Sequence, residues 1–475
     1  MYWVPQALGK LTALTKLTVD GSIGARRARE ACGAVGRRLR SELLLASELR
    51  ICSAVSRLPE SLGQLLALTT LIITACYDLT KLPESLGQLS ALTTLVIAGC
   101  FVLSMLPESL GKLTALTTLD ICMCYALTML PESLGQLVAL TSLNLSECRM
   151  LAMLPEELGQ LVALTTLNLS YCYELTRLPE SLGQLPTLTT LNLSRCCFAL
   201  TMLPESLGQL STLTTLNLSG CDALTMLPAS LGQLTALTTL AVSGCNALTG
   251  PPESLGQLPR LTTLDLSQCL VFTMLPESLG QLAELTMLNL SGCRGLTMLP
   301  ASLSQLPSLT TLDLSECGAL TMLPESVGQM AALTTLDLSG CRALAWLPEA
   351  LGQLEALTTL DLSVCRALTM LPESLGHLTA LKKLTIAGVI GLKRLPFAFI
   401  TMPDSAVGRY SMYGLDALVF PPIAVVERGM PAIKRFLLEH HHPLKMLLLI
   451  LAARKRRMRH PPAELWMLIR DEFFW

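Results

Sequence analysis

Cysteine is the chemically reactive residue that recurs most regularly in this sequence of 475 residues. Thirteen of the 17 cysteines follow one another at intervals of 24 or 25 residues. Thiols in such a series can ligate a metal ion, form disulfides or serve as buried packing groups, and each role requires a different geometry. The series comprises Cys76, Cys100, Cys124, Cys148, Cys172, Cys196, Cys221, Cys245, Cys269, Cys293, Cys317, Cys341 and Cys365.

The spacing favours a structural role for this cysteine ladder. A metal site needs two to four ligands that converge on one point, whereas one cysteine per repeat gives a line of thiols. Disulfides between neighbouring repeats are allowed by distance, but parallel side chains along a packed ladder point the same way. We therefore predict reduced thiols, buried as small apolar groups with a weak S–H donor.

No group of residues in the sequence has the composition of a catalytic site. His377 is the only histidine outside the C-terminal tail, and no Ser/His/Asp or Cys/His set can be assembled from the repeats. A G-x-x-x-x-G-K-[ST] phosphate-binding loop is also absent from the sequence. The adjacent His440, His441 and His442 do not point to a common metal site. We predict no enzymatic activity, metal, cofactor or small-molecule substrate.

Charge and hydropathy restrict the partners and the compartment. The formal net charge of −2 provides no basic excess for nucleic acid. The longest apolar run, 446–453, is about half of the roughly 20 residues that a spanning helix needs, so we predict no membrane span. The start of the sequence does not resemble a secretory signal. Reduced thiols favour the cytoplasm or the nucleus, where the Asn-x-Ser sequons beginning at Asn144, Asn168, Asn192, Asn217 and Asn289 would stay unglycosylated.

The cysteines are positioned by a repeating unit. A Leu-Pro pair opens each of fourteen units of 24–25 residues between 58 and 395, although the slot at 251 reads Pro-Pro. In the typical unit, LPESLGQLTALTTLDLSGCRALTM, the alternation in LTTLDL predicts a half-buried strand. Pro at the first helical position, Glu in the first turn and Gly as a left-handed stop predict one short helical turn. Stacking the units would bury both leucine faces.

The unit resembles the leucine-rich repeats, whose pattern is LxxLxLxxN/CxL. The match is carried, for example, by Leu309, Leu312, Leu314, Cys317 and Leu320. The LPxSLGxL half is similar to repeats of plant disease-resistance proteins and of intracellular Ras-pathway scaffolds. The resemblance implies an α/β solenoid, a horseshoe with a parallel β-sheet on the concave face and short helical turns on the convex face. It also implies that the cysteines fill the Asn/Cys slot of the repeat.

The repeat divides the chain into three predicted regions. Residues 1–57 contain degenerate N-terminal repeats with an Arg-rich insertion, and residues 58–395 contain the fourteen repeats. Residues 396–475 are predicted to form a small helical cap and tail. Within this tail, 431–440 and 444–459 have amphipathic patterns, and the first of these helices would cover the last repeat.

One position breaks the uniformity of the predicted concave face. The residue after each ladder cysteine is aromatic or Arg in many repeats, and such side chains dominate protein-binding hot spots. We hypothesise that an aromatic stripe and an Arg stripe together form a partner-docking edge, to which charged residues before the cysteines, such as Glu147, Arg195 and Glu316, add selectivity. The stripe residues are Tyr77, Phe101, Tyr125, Arg149, Tyr173, Arg294, Arg342 and Arg366, together with Phe198, which follows the insertion at Cys197, and Tyr171, which lies two residues before Tyr173.

These features predict an intracellular scaffold or adaptor that binds a protein, in a signalling context. Two alternatives stay open. Residues 461–466, PPAELW, resemble the opening of an F-box, which would make the chain a ubiquitin-ligase substrate receptor, although few residues follow. A defence sensor is the other alternative. The basic run 454–459 would serve nuclear import or contact an acidic surface.

Overall fold

The computed structural model describes residues 2–3, 16–20, 47–52, 55–196, 198–402 and 412–439, with backbone alone for the first two ranges. Sixteen of the described strands form one parallel sheet in the order β2-β3-β5 and then sequentially to β18, and β1 pairs with β4 in a second, two-stranded sheet. The strands are β1 (Tyr2–Trp3), β2 (Lys16–Asp20), β3 (Glu48–Cys52), β4 (Val55–Arg57), β5 (Thr70–Thr74), β6 (Thr94–Ala98), β7 (Thr118–Asp120), β8 (Ser142–Asn144), β9 (Thr166–Asn168), β10 (Thr190–Asn192), β11 (Thr215–Asn217), β12 (Thr239–Ala241), β13 (Thr263–Asp265), β14 (Met287–Asn289), β15 (Thr311–Asp313), β16 (Thr335–Asp337), β17 (Thr359–Asp361) and β18 (Lys383–Thr385).

Each repeat is one coil of the predicted solenoid, and neighbouring coils pair without a shift of register. Leu95 lies beside Leu71, and Leu312 lies beside Leu288 and Leu336. These leucines are fully buried, and the polar residues between them are half-buried on the inner face, as the alternation predicts. A threonine hydroxyl before each strand from β6 to β17 donates to the equivalent threonine carbonyl of the preceding coil, for example over 3.0 Å from Thr334 to Thr310.

The opposite side of each coil carries a short 3-10 turn rather than an α-helix. Proline precedes these turns in an extended conformation, and its carbonyl accepts the N–H of the third residue after it, as in Leu86 to Pro83. Proline is therefore the cap, so its predicted placement as the first helical residue is wrong by one position. The turns are Glu60–Gln64, Glu84–Gln88, Glu108–Lys112, Glu132–Gln136, Glu156–Gln160, Glu180–Gln184, Glu205–Gln209, Ala229–Gln233, Glu253–Gln257, Glu277–Gln281, Ala301–Gln305, Glu325–Gln329, Glu349–Gln353, Glu373–His377 and Phe397–Ile400.

The glycine of each turn has a different function from the predicted one. It does not adopt the left-handed conformation that the sequence predicts as a helix stop. Instead the next coil passes directly over it. A Cβ atom on Gly111 would lie 2.3 Å from the Ser133 carbonyl oxygen, and one on Gly352 would lie 2.3 Å from that of Ser374. At these positions only a hydrogen fits between the stacked turns, and Ser304 holds the equivalent position in one coil.

The glutamate that opens a turn also connects one coil to the next. Glu205 accepts the backbone N–H of Ser230 over 3.1 Å, and Glu277 accepts that of Ser302 over 3.0 Å. Hydrogen bonding from these serines lowers the pKa of both carboxyl groups. The side chain therefore satisfies one of the free N–H groups at the start of the following turn.

The described ends of the chain complete the sheet and the core. At the N-terminal end, β3 buries Leu49 and Ile51 in the same core as the repeats. At the C-terminal end, the short helix Ile423–Val426 and a helix over 430–439 contribute Met430, Ile433 and Leu437 to that core. The second helix lies within one residue of its predicted bounds. The predicted Arg-rich insertion and the helix over 444–459 lie outside the described residues.

Candidate functional site

The edge of the inner face is built by a tight turn between each strand and the following cysteine. An Asn or Asp side chain at the strand end accepts the N–H of the serine two residues later, as Asn168 does for Ser170 over 3.1 Å. The residue before the cysteine then takes a left-handed conformation. Glycine holds this slot in several coils, for instance Gly220 with φ 72°. This turn projects the residue after the cysteine at the rim of the sheet.

The cysteine ladder lies directly beneath this rim. Its thirteen side chains are completely buried, and every cysteine for which the structure gives a state is a free thiol. Most of the ladder thiols donate to a strand carbonyl of the preceding coil, as Cys148 does to Ile121 over 3.1 Å. Burial raises the pKa of Cys148 and of Cys365 to about 12. Protonated, enclosed thiols of this kind are poor nucleophiles, so the ladder anchors the rim rather than reacting there.

Six predicted residues come together in one continuous column, here called the edge ladder: Tyr77, Phe101, Tyr125, Arg149, Tyr173 and Phe198. The ring centroids of Tyr77 and Phe101 are 4.8 Å apart, and those of Phe101 and Tyr125 are 4.5 Å apart with nearly parallel planes. The Arg149 guanidinium lies 4.1 Å from the Tyr125 ring centroid and 5.7 Å from that of Tyr173. Tyr173 in turn contacts Phe198 at 5.5 Å. One side chain from each of six successive coils therefore contributes to a single surface.

The edge ladder presents large apolar area to solvent. Phe198 is 72% exposed and Tyr77 is 51% exposed. Stacking offset rings and inserting a guanidinium between them stabilises each side chain in one position. A preformed aromatic surface of this kind binds a partner with little further loss of side-chain freedom.

A second row of side chains runs beside the edge ladder in the left-handed slot. Met123, Glu147, Tyr171 and Arg195 occupy it in four consecutive coils with φ between 55° and 62°. A residue with a side chain costs about 1–2 kcal/mol in this conformation. Glu147 binds Arg149 over 3.0 Å, and Arg195 and Tyr171 contact each other. The same conformation recurs at Gln268, Glu316 and Val364 in later coils, so this strain accompanies the edge ladder without being confined to it.

The three predicted arginines of the later coils share the rim but do not form a column. Arg294, Arg342 and Arg366 are exposed, and Gly318 separates the first from the other two. Within the described part of the chain, no ring contact or ion pair joins them. Beside the edge ladder, the inner face forms a shallow polar hollow of about 820 Å³ that reaches from Ser194 to Glu316 and is lined in part by Arg294.

Sequence reasoning missed an apolar surface beside the short 3-10 turns, on the outer side of the solenoid. The residue before each Leu-Pro pair is methionine in most coils, and Met105, Met129 and Met153 are each about half exposed. Together with the prolines and the glutamates that open the turns, they line a groove of about 880 Å³. The repeat itself indicates this surface. Its last residue is Met, and the Leu before it and the Leu after it already fill the core, so the methionine is left at the surface.

Several predicted features cannot be placed. The triple histidine, the basic run 454–459 and the F-box-like residues 461–466 lie outside the described residues. Among the residues that the structure describes, no group of three or more His, Cys, Asp or Glu side chains is arranged to hold a metal ion. None of the helices in the described ranges has the length and apolar composition to cross a membrane.

Comparisons with known proteins agree with the fold. Residues 261–394 match the family described as Leucine-rich repeat region, residues 163–185 and 187–210 match Leucine Rich Repeat, and residues 209–225 match Leucine Rich repeat. No curated protein sequence matches the chain.

Solved structures give the same result. A leucine-rich-repeat protein of Leptospira interrogans is 29% identical, with a TM-score of 0.52, over 75% of this chain and 89% of its own. The leucine-rich-repeat ectodomain of the Arabidopsis thaliana receptor kinase GASSHO1/SCHENGEN3 is 23% identical, with a TM-score of 0.42, over 76% and 55%. The functional domain of internalin J of Listeria monocytogenes, which includes a cysteine ladder, is 24% identical, with a TM-score of 0.44, over 72% and 62%. The family matches, the coil geometry and the Leptospira structure together show that this chain belongs to the leucine-rich-repeat proteins.

Proposed function

We propose that the chain is an intracellular interaction scaffold that binds a protein partner along the edge ladder. The leucine-rich-repeat fold generally mediates protein–protein interaction, and proteins of this family are typically not enzymes. The observation that supports the location of the site is the unbroken column of six stacked side chains, because recognition surfaces concentrate Tyr, Trp and Arg. We also propose that the chain as a whole has no enzymatic activity and uses no cofactor.

Within this proposal, the three regions have separate roles. The repeats at 58–395 hold the partner, and the segments 1–57 and 396–475 terminate the solenoid. Arg294, Arg342 and Arg366 lie farther along the same rim, where exposed charges steer a partner and affect its association rate more than its final affinity. The polar hollow between the two groups offers serine and asparagine side chains for hydrogen bonds with the same partner.

Two features support the intracellular part of the proposal. The buried ladder thiols are reduced, which suits a reducing compartment. In addition, the sequon residues Asn144 and Asn192 direct their side-chain oxygens to the N–H groups of Ser146 and Ser194 within the sheet. A glycan on these half-buried side chains would disrupt that turn and cover the inner face.

The test is affinity capture with the full chain and a variant in which Tyr77, Phe101 and Tyr125 are all changed to Ser. These side chains are at the surface, so folding should be retained, and we expect captured partners to fall by about tenfold or more. The matched control changes Met105, Met129 and Met153 to Ser in adjacent coils and should leave capture unchanged. If the wild-type chain and the triple Ser variant captured partners equally, the edge ladder would not be the binding site.

A further inference from the structure

The methionine row on the outer side of the solenoid has one long uninterrupted run. The row is interrupted at four of its first nine positions, by Arg57, Lys81, Arg177 and Gly250, but the next five coils carry an apolar side chain without a break. These residues are Met274, Met298, Met322, Trp346 and Met370, and each is at least 39% exposed. Exposed apolar stripes of this length mark interaction sites, and methionine adapts its shape to the surface that covers it.

The charge beside this run restricts what can cover it. Glu277, Glu325 and Glu349 open the turns next to the methionines, with carboxylates at the surface. The repeats at 58–395 contain 25 acidic residues and 13 basic residues, so the array as a whole is acidic. A second copy of the same face would bring two rows of carboxylates together, which is unfavourable. The occupant should therefore combine apolar with basic side chains.

The described part of the chain ends next to this run. Phe420 pairs with Arg394, which holds the methionine slot in the coil after Met370. The Phe420 ring lies 5.8 Å from Phe397 in the last 3-10 turn and 5.4 Å from Phe436 in the helix over 430–439. The helix over 430–439 therefore packs at the coil that follows Met370, and four residues separate its end from residue 444 in the sequence.

The sequence of this segment has the required chemistry. Residues 444–459 read LKMLLLILAARKRRMR, an apolar half followed by a half with five basic residues. A helix of sixteen residues would be about 24 Å long, and five coils at about 4.8 Å span a similar distance. We propose that residues 444–459 of the same chain dock on the run from Met274 to Met370. The apolar half lies nearest Trp346 and Met370, and the basic half lies nearest Glu277 and Glu325.

Methionine oxidation in the full-length purified chain tests this docking. Dilute peroxide should oxidise Met298, Met322 and Met370 about threefold or more slowly than Met105, Met129 and Met153, because the docked segment shields only the first set. The second set provides the internal control, since its side chains are similarly exposed along the row. Changing Leu448 and Leu451 to Ser and Arg456 and Arg457 to Glu should abolish the difference.

A carbodiimide crosslink gives the second readout. Lys455 should be joined to Glu277 or Glu325, with a yield that does not change over about a tenfold dilution. Equal oxidation of the two methionine sets in the wild-type chain, or a difference that survives the tail substitutions, would overturn the proposal. A crosslink whose yield falls on dilution would also overturn it, because the segment would then come from a second copy. The docking is independent of partner binding at the edge ladder.

Discussion

The first six and the last eight coils of the repeat array differ in what they display, although both groups are built from the same type of coil. In the first group, the slot after the cysteine carries the edge ladder, and side chains such as Tyr171 fill the left-handed slot. In the second group, the slot after the cysteine carries separated arginines, and the left-handed slot is often glycine, as at Gly292 and Gly340. The strand-end slot differs as well, with three successive asparagines, Asn144, Asn168 and Asn192, in the first group and three successive aspartates, Asp313, Asp337 and Asp361, in the second.

This contrast distinguishes positions that hold the fold together from positions that are available to recognise a partner. The leucines, the cysteines and the turn glycines are nearly invariant along the array because each packs against a neighbouring coil. The slots at the rim contact solvent, so their side chains can change without disturbing the stack. A solenoid of near-identical coils can therefore carry specific information only in those few slots.

The largest effect should come from the turn glycines and should be equal in the two groups. Replacing Gly111 or Gly352 by Ala places a Cβ against the backbone of the next coil, and we expect a loss of about 1–3 kcal/mol in the free energy of unfolding for each. Gly250 has open space around it, so Gly250→Ala is the matched control and should change little. Chemical denaturation checks this. A marked difference between Gly111→Ala and Gly352→Ala would show that the scaffold itself differs between the two groups.

A smaller effect is expected from substitutions in the left-handed slot, which should change stability in both groups but partner binding in only one. Tyr171 and Val364 both adopt the left-handed conformation, with φ near 60°. Changing either to Gly should stabilise the fold by about 0.5–1 kcal/mol, since relief of strain exceeds the extra chain entropy of glycine. Only Tyr171→Gly should weaken partner capture. If Val364→Gly weakened capture equally, recognition would not be confined to the first group.

The smallest effect concerns the aspartate run. Burial and then the neighbouring Asp313 and Asp361 raise the pKa of Asp337. A raised pKa means that the ionised form destabilises the fold at neutral pH and that this penalty disappears as the pH falls through the folded-state pKa. Asp337→Asn should therefore stabilise the fold by about 0.5 kcal/mol at pH 7 and by less at pH 4. Thermal unfolding at both pH values measures this.

The asparagine slots provide the control for this substitution. Asn192 accepts the N–H of Ser194 in the same way that Asp337 accepts that of Ser339, so the exchange retains the hydrogen bond. Asn192→Asp, with no aspartate in the neighbouring strands, should change stability little. A pH-independent gain for Asp337→Asn would contradict the electrostatic explanation.

The sequence predicts the parts of the molecule that depend on one coil alone. Period-two leucines predict the strands, the fixed spacing predicts the cysteine ladder, and the residues after the cysteines fall at one rim. The role of Gly111 is not predictable in this way, because it depends on how closely the next coil approaches. The stacking of Arg149 between two tyrosines depends on the rotamers of three coils together. The exposure of Met322 is not predictable in this way either, because apolar residues in a repeat are expected to face the core.

The hydrogen bonds that run from each coil to the preceding one have a mechanical consequence. Each threonine hydroxyl in the series holds only the adjacent coil, and the strands and turns contact only their neighbours. Tension applied to the two ends would therefore be carried by equal links in series. Each link that opens would release one unit of 24 residues, about 80 Å of extended chain, while the rest of the stack stays folded.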